Sequence, residues 1–123
     1  MGYYIGIDLG TSAMKCLLVD STGNVCKEAS REYPLDFPKP TWSEQSPEDW
    51  WNACCECVSE LIKDIDASEV KAIGCAGQMH GLVVLDDEDR VIRPAILWND
   101  ARTSDEVDYL NNVIGKSSIA SYT

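Results

Sequence analysis

Residues 3–20 read YYIGIDLGTSAMKCLLVD. Within them, residues 3–8 form a short apolar run that ends at a Gly-Thr turn, which is typical of a buried β-strand. Residues 14–20 form a second run of this kind, and the turn sequence DSTGN separates it from the more polar residues 25–32. The sequence therefore predicts three strands joined by short turns, an antiparallel meander with its third strand at an edge of the sheet.

A helix is predicted after this meander. Residues 33–45 contain three prolines and predict a loop. Ser46 is the predicted N-cap, with Pro47 at the first helical position and two acidic residues in the first turn. The apolar residues that recur at helical spacing through to residue 66 are Trp51, Cys54, Val58, Leu61, Ile62 and Ile65.

The rest of the chain predicts further strands and a C-terminal helix. Residues 70–76 predict a strand that returns, after the helical crossover, to the same sheet. Residues 82–85 predict another strand. Thr103 and Glu106 predict a capping box at the start of the last helix, and Gly115 suits its end. The fold class is therefore α/β, with a mixed sheet.

Composition excludes several classes of partner. The chain of 123 residues carries 10 Lys and Arg against 21 Asp and Glu, which gives a net charge of −11. Binding to nucleic acid or to an anionic membrane needs a basic face, so neither partner is expected. The first apolar run has no preceding basic region, and no run is long enough to span a bilayer. We therefore expect a cytoplasmic protein whose six cysteines are reduced thiols.

The turn after the first strand has the features of a phosphate-binding loop. Asp8 lies at the rim of the predicted sheet, where a carboxylate can hold Mg²⁺. Gly10 allows backbone N–H groups to approach an anion, Thr11 and Ser12 add hydroxyl groups, and Lys15 adds a positive charge. These residues could bind nucleotide phosphates, and an ordinary polar turn is the alternative. Neither a Walker A motif nor a Gly-x-Gly-x-x-Gly motif occurs.

A second segment with chemical features is the turn at residues 77–81, GQMHG. It follows a predicted strand and therefore lies at a sheet edge, where ligands commonly bind. His80 is the only histidine of the chain. Together with Gln78 it offers donors and acceptors that suit sugar hydroxyl groups. The alternative is a buried, hydrogen-bonded loop histidine.

Two further segments combine tryptophan with polar residues. They are WSEQ at residues 42–45 and LWNDAR at residues 97–102. A tryptophan face beside Asn, Asp and Arg is a common sugar-binding combination. The alternatives are that Trp42 anchors a loop, that Trp98 is a core residue at a strand end, and that the acid and the base of the second segment form a local ion pair.

Taken together and in this order, the four segments resemble the FGGY family of carbohydrate kinases, and within it the xylulokinase type. The first segment alone is similar to the first phosphate segment of all actin-like ATPases, so it is weakly specific. The sequences GQMHG and WND are more specific, because the equivalent turn of glycerol kinases carries Arg and Glu. The resemblance implies the first half of a ribonuclease-H-like (actin-like ATPase) domain, with a meander, a crossover helix, further strands of a mixed sheet and a C-terminal helix.

The resemblance also implies an activity and its site. The reaction is transfer of the γ-phosphoryl group of ATP, with Mg²⁺, to a primary hydroxyl group of D-xylulose, giving xylulose 5-phosphate. Asp8 would act on Mg²⁺. The residues implied to bind the ATP phosphates are Gly10, Thr11, Ser12 and Lys15, together with Asp8. The residues implied to form the sugar pocket are Gln78, Met79, His80, Trp98, Asn99 and Asp100.

By the same resemblance, residues 1–123 are the N-terminal part of the FGGY N-terminal domain. The rest of that domain, the C-terminal domain and the general-base aspartate would lie beyond residue 123. The isolated chain is therefore expected to be inactive and to self-associate through uncovered apolar surface, and a homo-oligomeric parent is left open. The alternatives are a kinase of the family for ribulose, gluconate, fuculose or glycerol, and a non-enzymatic actin-like module that binds a nucleotide or a sugar.

The Cys-x-x-Cys sequence at Cys54 and Cys57 has a structural interpretation. A zinc site needs about four ligands, and the chain offers no second pair of this kind. A redox pair would favour a helix N-terminus after a strand. We therefore predict that these thiols pack in the core. The acidic residues 86–89 are predicted to form a solvated turn and not a metal site.

Overall fold

The computed structural model of the chain describes residues 2–123 and contains six strands and three α-helices in that range. The strands are β1 (Tyr3–Leu9), β2 (Ala13–Asp20), β3 (Val25–Glu32), β4 (Glu44–Gln45), β5 (Val70–Gly77) and β6 (Ala95–Ile96). The helices are α1 (Pro47–Ile62), α2 (Ser104–Tyr109) and α3 (Lys116–Ala120). A 3₁₀ turn precedes β5, and a π-helical segment, Leu110–Gly115, joins α2 to α3.

The main sheet has four strands in the order β3-β2-β1-β5. The pairs β1–β2 and β2–β3 are antiparallel, whereas β1 and β5 are parallel. The predicted meander, the edge position of β3 and the helical crossover into a mixed sheet are therefore confirmed. Leu9 at the end of β1 lies opposite Gly77 at the end of β5. The loops that follow these two strands consequently begin side by side at one edge of the sheet.

The core lies between one face of the sheet and α1. Ile5, Met14 and Leu18 contribute buried side chains from β1 and β2, and alternate residues of a strand share one face. Each such large apolar side chain stabilises the fold by about 2 kcal/mol through burial. In α1 the buried residues are spaced by four, at Ala53, Cys57 and Leu61.

The predicted helix differs from α1 in three respects. It ends at Ile62, not at residue 66, because the chain turns after Ile62, whose carbonyl accepts from the Ile65 N–H at 3.3 Å. Trp51 was assigned to the apolar face, but 64% of it is exposed. Residues 51 and 53 point about 200° apart around a helix, so burial of Ala53 directs Trp51 towards solvent. The Ser46 side chain makes no capping hydrogen bond.

The second half of the chain contains less regular structure than predicted. Residues 82–85 are not a strand, because only isolated bridges from Leu82 to Ile96 and from Leu85 to Val91 form there. The predicted loop 33–45 ends in β4, which pairs with β6 in a small second sheet. Thr103 precedes α2, but its side chain caps nothing there, so the capping box is wrong.

The predicted helix end at Gly115 is confirmed, because the π-helical segment ends there and Gly115 has φ 96°, which is outside the right-handed helical region. A further helix, α3, begins directly after it at Lys116. The side chains of α2 and α3 are exposed or half-buried. None of the helices within residues 2–123 is both long and apolar enough to cross a membrane.

Candidate functional site

The turn between β1 and β2 is closed by Gly10. Its N–H donates to the carbonyl of Ala13 at 3.0 Å, and its carbonyl accepts a hydrogen bond from the Tyr33 hydroxyl. A Cβ at this position would lie 2.9 Å from the Ala13 oxygen, which is backbone and cannot move aside cheaply. Burial, and next the charge of Asp8, raise the pKa of Tyr33 to about 12, so its hydroxyl stays a donor. Glycine is thus required here by the hairpin itself.

The two residues at the tip of this turn present donors to solvent. Within residues 2–123, the backbone N–H groups of Thr11 and Ser12 donate to no protein acceptor, and the exposed Ser12 hydroxyl has no partner. Adjacent free N–H groups in a turn form an anion-binding concavity. The loop can therefore bind a phosphate through backbone groups, although the N–H of Gly10 does not take part.

Asp8 and Lys15 lie opposite each other on β1 and β2. Both line a depression on the sheet, and its other lining residues are Gly6, Ile7, Leu17, Gly74, Cys75 and Ala76. None of the described side chains forms an ion pair with Asp8. Lys15 Nζ lies 3.2 Å from Glu28 Oε2, and because both side chains are more than half exposed this pair is weak. Lys15 can thus leave Glu28 for another anion at little cost.

This depression fits a magnesium nucleotide. A carboxylate and a lysine line it, and a Cβ built on Gly6 or Gly74 meets nothing within 4 Å, which leaves room above the sheet. No group of three or more His, Cys, Asp or Glu side chains able to hold a metal occurs in the described part of the chain. Asp8 would therefore hold Mg²⁺ together with water and phosphate oxygens, as this ion prefers.

The second chemical segment lies directly beside the phosphate loop. The Gln78 N–H donates to the carbonyl of Leu9 at 2.9 Å, which places the turn after β5 against the end of β1. Thr11 Oγ1 donates to Gln78 Oε1 at 3.2 Å and accepts from Trp98 Nε1 at 3.1 Å. The Thr11 hydroxyl thus connects two other predicted site residues, Gln78 and Trp98, which come from separate segments.

A shallow pocket is lined by Thr11, Gln78, Met79, His80 and Trp98. His80 is exposed and has φ 63°, so the alternative of a buried loop histidine is wrong. Such a backbone conformation in a non-glycine residue is uncommon and clusters at functional sites. Trp98 is 57% exposed, which also excludes the alternative of a core tryptophan. An aromatic face, a thioether and polar side chains here can bind a polyhydroxylated ligand.

Behind this pocket lies Gln45, which is fully buried. Its Nε2 donates to the Thr11 carbonyl at 2.5 Å, and its Oε1 accepts from Trp50 Nε1 at 2.9 Å and from Gln78 Nε2 at 3.2 Å. Sequence reasoning marked residues 42–45 but gave Gln45 no role. One sequence feature could have identified Gln45. It is a polar residue shortly before a predicted helix whose first turn contains a tryptophan, which is a hydrogen-bond donor.

Asp100 lies in a compact ion-pair cluster. Its carboxylate accepts from the Ser43 N–H at 2.7 Å and from Arg102 Nη2 at 2.7 Å, and Glu44 Oε1 accepts from Arg102 and from Arg93 at 2.8 Å each. The Arg102 guanidinium, the largest cause, holds the pKa of Asp100 well below its usual range. The pKa of Arg102 is raised in turn, chiefly by Asp100. We name Glu44, Arg93, Asp100 and Arg102 the ionic cluster.

Asn99 and Asp100 are not brought into the pocket that Trp98 lines. Asn99 lines a different depression, formed with residues 37–43 and Ala101. The Arg102 guanidinium lies 3.7 Å from the centre of the Trp42 ring, and Lys39 lies 4.5 Å from it, so Trp42 is a loop anchor held by cation–π contacts. Direct contact of Asn99 or Asp100 with a sugar stays a prediction. Asp100 and Arg102 form a local ion pair, which was the alternative interpretation of these two residues.

The cysteine motif of α1 is structural. Cys57 is fully buried, Cys54 is half-buried, and all six cysteines, which lie within the described residues, are free thiols. Burial, and next its neighbour Cys57, raise the pKa of Cys16 to about 12, which keeps this thiol protonated and inert. Packing in the core is thereby confirmed. In the acidic turn, Asp86 Oδ1 accepts from the N–H groups of Glu88 and Arg90 at 2.9 Å each.

Comparison with known proteins identifies the family. The chain matches the N-terminal domain of the FGGY family of carbohydrate kinases over residues 3–123. It is 52% identical over 106 residues to the xylulose kinase of Bacillus subtilis, a match that covers 85% of this chain and 21% of that protein. The chain belongs to the FGGY family of carbohydrate kinases. It spans about a fifth to a quarter of the length of the curated relatives it matches.

Solved structures support the same assignment. Ligand-bound xylulose kinase from Lactobacillus acidophilus is 32% identical, with a TM-score of 0.87 over 92% of this chain and 23% of that one. Gluconate kinase from the same organism is also 32% identical, with a TM-score of 0.86 over 91% of this chain and 23% of that one. The expected actin-like fold, with its mixed sheet and C-terminal helical segment, is therefore confirmed.

Proposed function

We propose that the chain is part of an ATP-dependent kinase that phosphorylates D-xylulose to xylulose 5-phosphate. The observation that carries this proposal is the position of Thr11, which belongs to the phosphate loop and also lines the pocket with Met79, His80 and Trp98. A phosphate donor and a hydroxylated acceptor bound at these two places would be neighbours. The similarity to xylulose kinases supports the choice of sugar.

The residues of the phosphate side have distinct tasks in this proposal. Bound MgATP supplies the γ-phosphoryl group and neutralises part of its charge. Asp8 holds the Mg²⁺ ion, the N–H groups of Thr11 and Ser12 bind phosphate oxygens, and Lys15 moves from Glu28 to the phosphates. Gly10 closes the hairpin that orients these groups.

The residues of the sugar side orient the acceptor. The Met79 side chain and the Trp98 ring cover the carbon skeleton, while Gln78 and His80 hydrogen-bond to hydroxyl groups. Asp100 contributes by holding the segment that carries Trp98, because its carboxylate accepts from the Ser43 N–H. The reacting hydroxyl must also lose a proton to a base. We place that base on a segment outside residues 1–123.

The domain assignment belongs to the same proposal. Residues 1–123 form the N-terminal part of the FGGY N-terminal domain, and the remainder of that domain and a C-terminal domain complete both binding sites. The isolated chain is accordingly inactive. It also self-associates, since apolar side chains such as Ile73 and Leu82 are exposed. The cytoplasm, where ATP is available and thiols stay reduced, is the proposed location.

Two alternatives differ in how well the observations support them. A kinase of the same family for another sugar or polyol (ribulose, gluconate, fuculose or glycerol) is supported by the near-equal similarity to the gluconate and xylulose kinase structures. A non-enzymatic actin-like module would keep the phosphate loop without needing the pocket beside it. The exposed Met79 and Trp98 side chains favour a sugar-binding kinase over such a module.

The test is ADP release by the natural full-length protein that carries this segment. MgATP is supplied with a panel of D-xylulose, D-ribulose, D-gluconate, L-fuculose and glycerol, and the isolated chain is a parallel sample. We expect the largest stimulation with D-xylulose and none from the isolated chain. Stimulation by a different member of the panel would favour the first alternative. Absence of any stimulation in the full-length protein would favour the module, and turnover by the isolated chain would contradict the domain assignment.

A further inference from the structure

Gln45 stands out because it is the buried polar residue that both loops of the site contact. It is fully buried at the end of β4 and carries no charge. A glutamine amide offers two donors and an oxygen with two lone pairs. Gln45 uses both lone pairs and one donor, with Trp50, Gln78 and Thr11 as its partners. A buried amide with this many partners has one defined orientation.

The hydrogen bonds of Gln45 belong to a closed triangle. Thr11 Oγ1 donates to Gln78 Oε1, Gln78 Nε2 donates to Gln45 Oε1, and Gln45 Nε2 donates to the Thr11 carbonyl. The first corner lies on the phosphate loop, the second on the turn after β5, and the third on the segment before α1. The Trp50 bond fixes the third corner to the helix. Movement of either loop relative to the other must therefore break at least one bond of the triangle.

We infer that Gln45 is a positioning residue that couples the phosphate loop to the sugar-binding turn, an inference that rests on the proposed function. Gln45 is absent from the described lining of the pocket, so it acts through Thr11 and Gln78. Phosphoryl transfer needs donor and acceptor aligned, and small displacements of one reactant reduce the rate strongly. Because coupling between two sites is reciprocal, binding of the sugar strengthens binding of the nucleotide by the same factor as the reverse.

A structural role alone gives a different expectation. If Gln45 only anchored the start of α1 through Trp50, its loss would lower thermal stability and leave the alignment of the two loops unchanged. The kinetic constants of the folded enzyme would then stay as in the wild type. The kinetic constants and the ligand coupling therefore distinguish the positioning role from the structural role, whereas the melting temperature does not.

The experiment compares three variants of the full-length protein. Gln45→Leu removes the triangle at one corner, Trp50→Phe removes only the bond to the helix, and Cys57→Ala removes a buried core group of α1 away from both loops. Steady-state kinetics with MgATP and the best sugar of the panel are combined with titration of a non-hydrolysable ATP analogue, with and without that sugar. Melting temperatures identify a temperature at which each variant is folded.

We expect Gln45→Leu to lower kcat/KM by about 100-fold, as misplacement remote from the chemistry can do. The sugar should then no longer strengthen binding of the ATP analogue. Trp50→Phe should retain most of kcat/KM and the coupling, and Cys57→Ala should lower only the melting temperature. If Gln45→Leu does not fold, Gln45→Glu preserves the side-chain size and the acceptor of Trp50 and Gln78 but presents a carboxylate to the Thr11 carbonyl, and the same loss is expected.

Two results would overturn the inference, and they differ. Wild-type kcat/KM and ligand coupling in a folded Gln45 variant would refute the positioning role while the wild-type enzyme still turns over sugar, so the proposed function would stand. No sugar-stimulated turnover by the wild-type full-length protein would refute the proposed function, and the inference with it.

Discussion

Two neighbouring residues of β4 take part in two different polar clusters. Gln45 enters the neutral triangle with Thr11 and Gln78, whereas Glu44 enters the ionic cluster with Arg102. Successive residues of a strand point to opposite sides, which is how two residues can serve separate clusters. The neutral cluster holds the two loops of the candidate site, and the ionic cluster holds the segment that carries Trp98.

Burial changes how much a polar contact contributes to the stability of the fold. Two members of the ionic cluster have little access to water: 4% of the Asp100 side chain and 11% of the Arg102 side chain are exposed, whereas 41% of the Arg93 side chain is exposed. Buried charges have lost their hydration, so each requires its partner. A neutral amide network is less costly to bury and does not respond to pH over the physiological range. The neutral triangle should therefore respond less to acid and salt than the ionic cluster does.

The largest expected effect comes from breaking the ionic cluster. Asp100→Ala leaves Arg102 with one carboxylate partner fewer in a buried position and should destabilise the protein by about 3 kcal/mol. Gln45→Leu, which leaves neutral groups unpaired, should cost less, about 2 kcal/mol. Calorimetric melting of the full-length variants measures both. Asp86→Ala, which removes an acid from an exposed turn, is the control, and a larger loss for Gln45→Leu than for Asp100→Ala would reverse the comparison.

Acid should weaken the ionic cluster selectively. The pKa of Asp100 is lowered in the folded state, so its contribution is present above the unfolded value of about 3.9 and is lost as the pH falls below it. Stability of the wild type should therefore fall more steeply in this acid range than stability of Asp100→Asn, which cannot titrate. Equal slopes of melting temperature against pH for the two proteins would show that Asp100 does not carry this dependence.

Gly10→Ala tests the backbone on the neutral side. The added Cβ would lie 2.9 Å from the Ala13 carbonyl, so the hairpin must shift, at a cost of about 1–3 kcal/mol. Gly74→Ala is the matched control, because a Cβ there meets nothing within 4 Å. Chemical denaturation of both variants measures the difference. Equal stability would mean that the hairpin tolerates the methyl group, and that glycine serves only the ligand.

The smallest effect on stability is expected for Lys15→Ala. Its ion pair with Glu28 is exposed, so its loss should change the free energy of unfolding by about 0.5 kcal/mol or less. Charge without burial thus contributes little, which sharpens the contrast with Asp100. Binding of MgATP should nevertheless weaken in this variant. Glu28→Ala, which removes the other partner, should keep nucleotide binding, and equal binding by both variants would remove Lys15 from the phosphate site.

Much of the first half of the fold could be predicted from local pattern. The apolar runs of β1 and β2 and the polar β3 were found because period-two patterning and turn residues are local signals. The prediction was wrong where long-range strand pairing determines the secondary structure. Residues 82–85 have strand-like composition, but Leu82 pairs only with Ile96 and the ladder does not extend. Gly115 ends a helical segment as predicted, but no local pattern predicted that α3 begins directly after it.

The candidate site was predictable in its parts and not in its connections. Residues 77–81 were marked for the hydrogen-bonding groups of Gln78 and His80, and the structure brings this turn beside Thr11. The hydrogen bond from Trp98 to the Thr11 hydroxyl joins residues that are 87 positions apart. It depends on long-range packing, so no local sequence pattern predicts it. The ion pair between Asp100 and Arg102 was foreseen as the alternative for this segment because the two residues are only two positions apart.

The parallel pairing of β1 with β5 has a consequence for synthesis on the ribosome. The meander is complete once Glu32 has emerged, but one edge of β1 has no partner until Val70–Gly77 follows. At about 5–20 residues per second, that interval lasts roughly 2–9 seconds. During it, an apolar strand edge beside the future phosphate loop is open to pairing with another nascent chain. Strand β5, whose end leads into the turn that carries Gln78, is therefore also the element that covers this edge of β1.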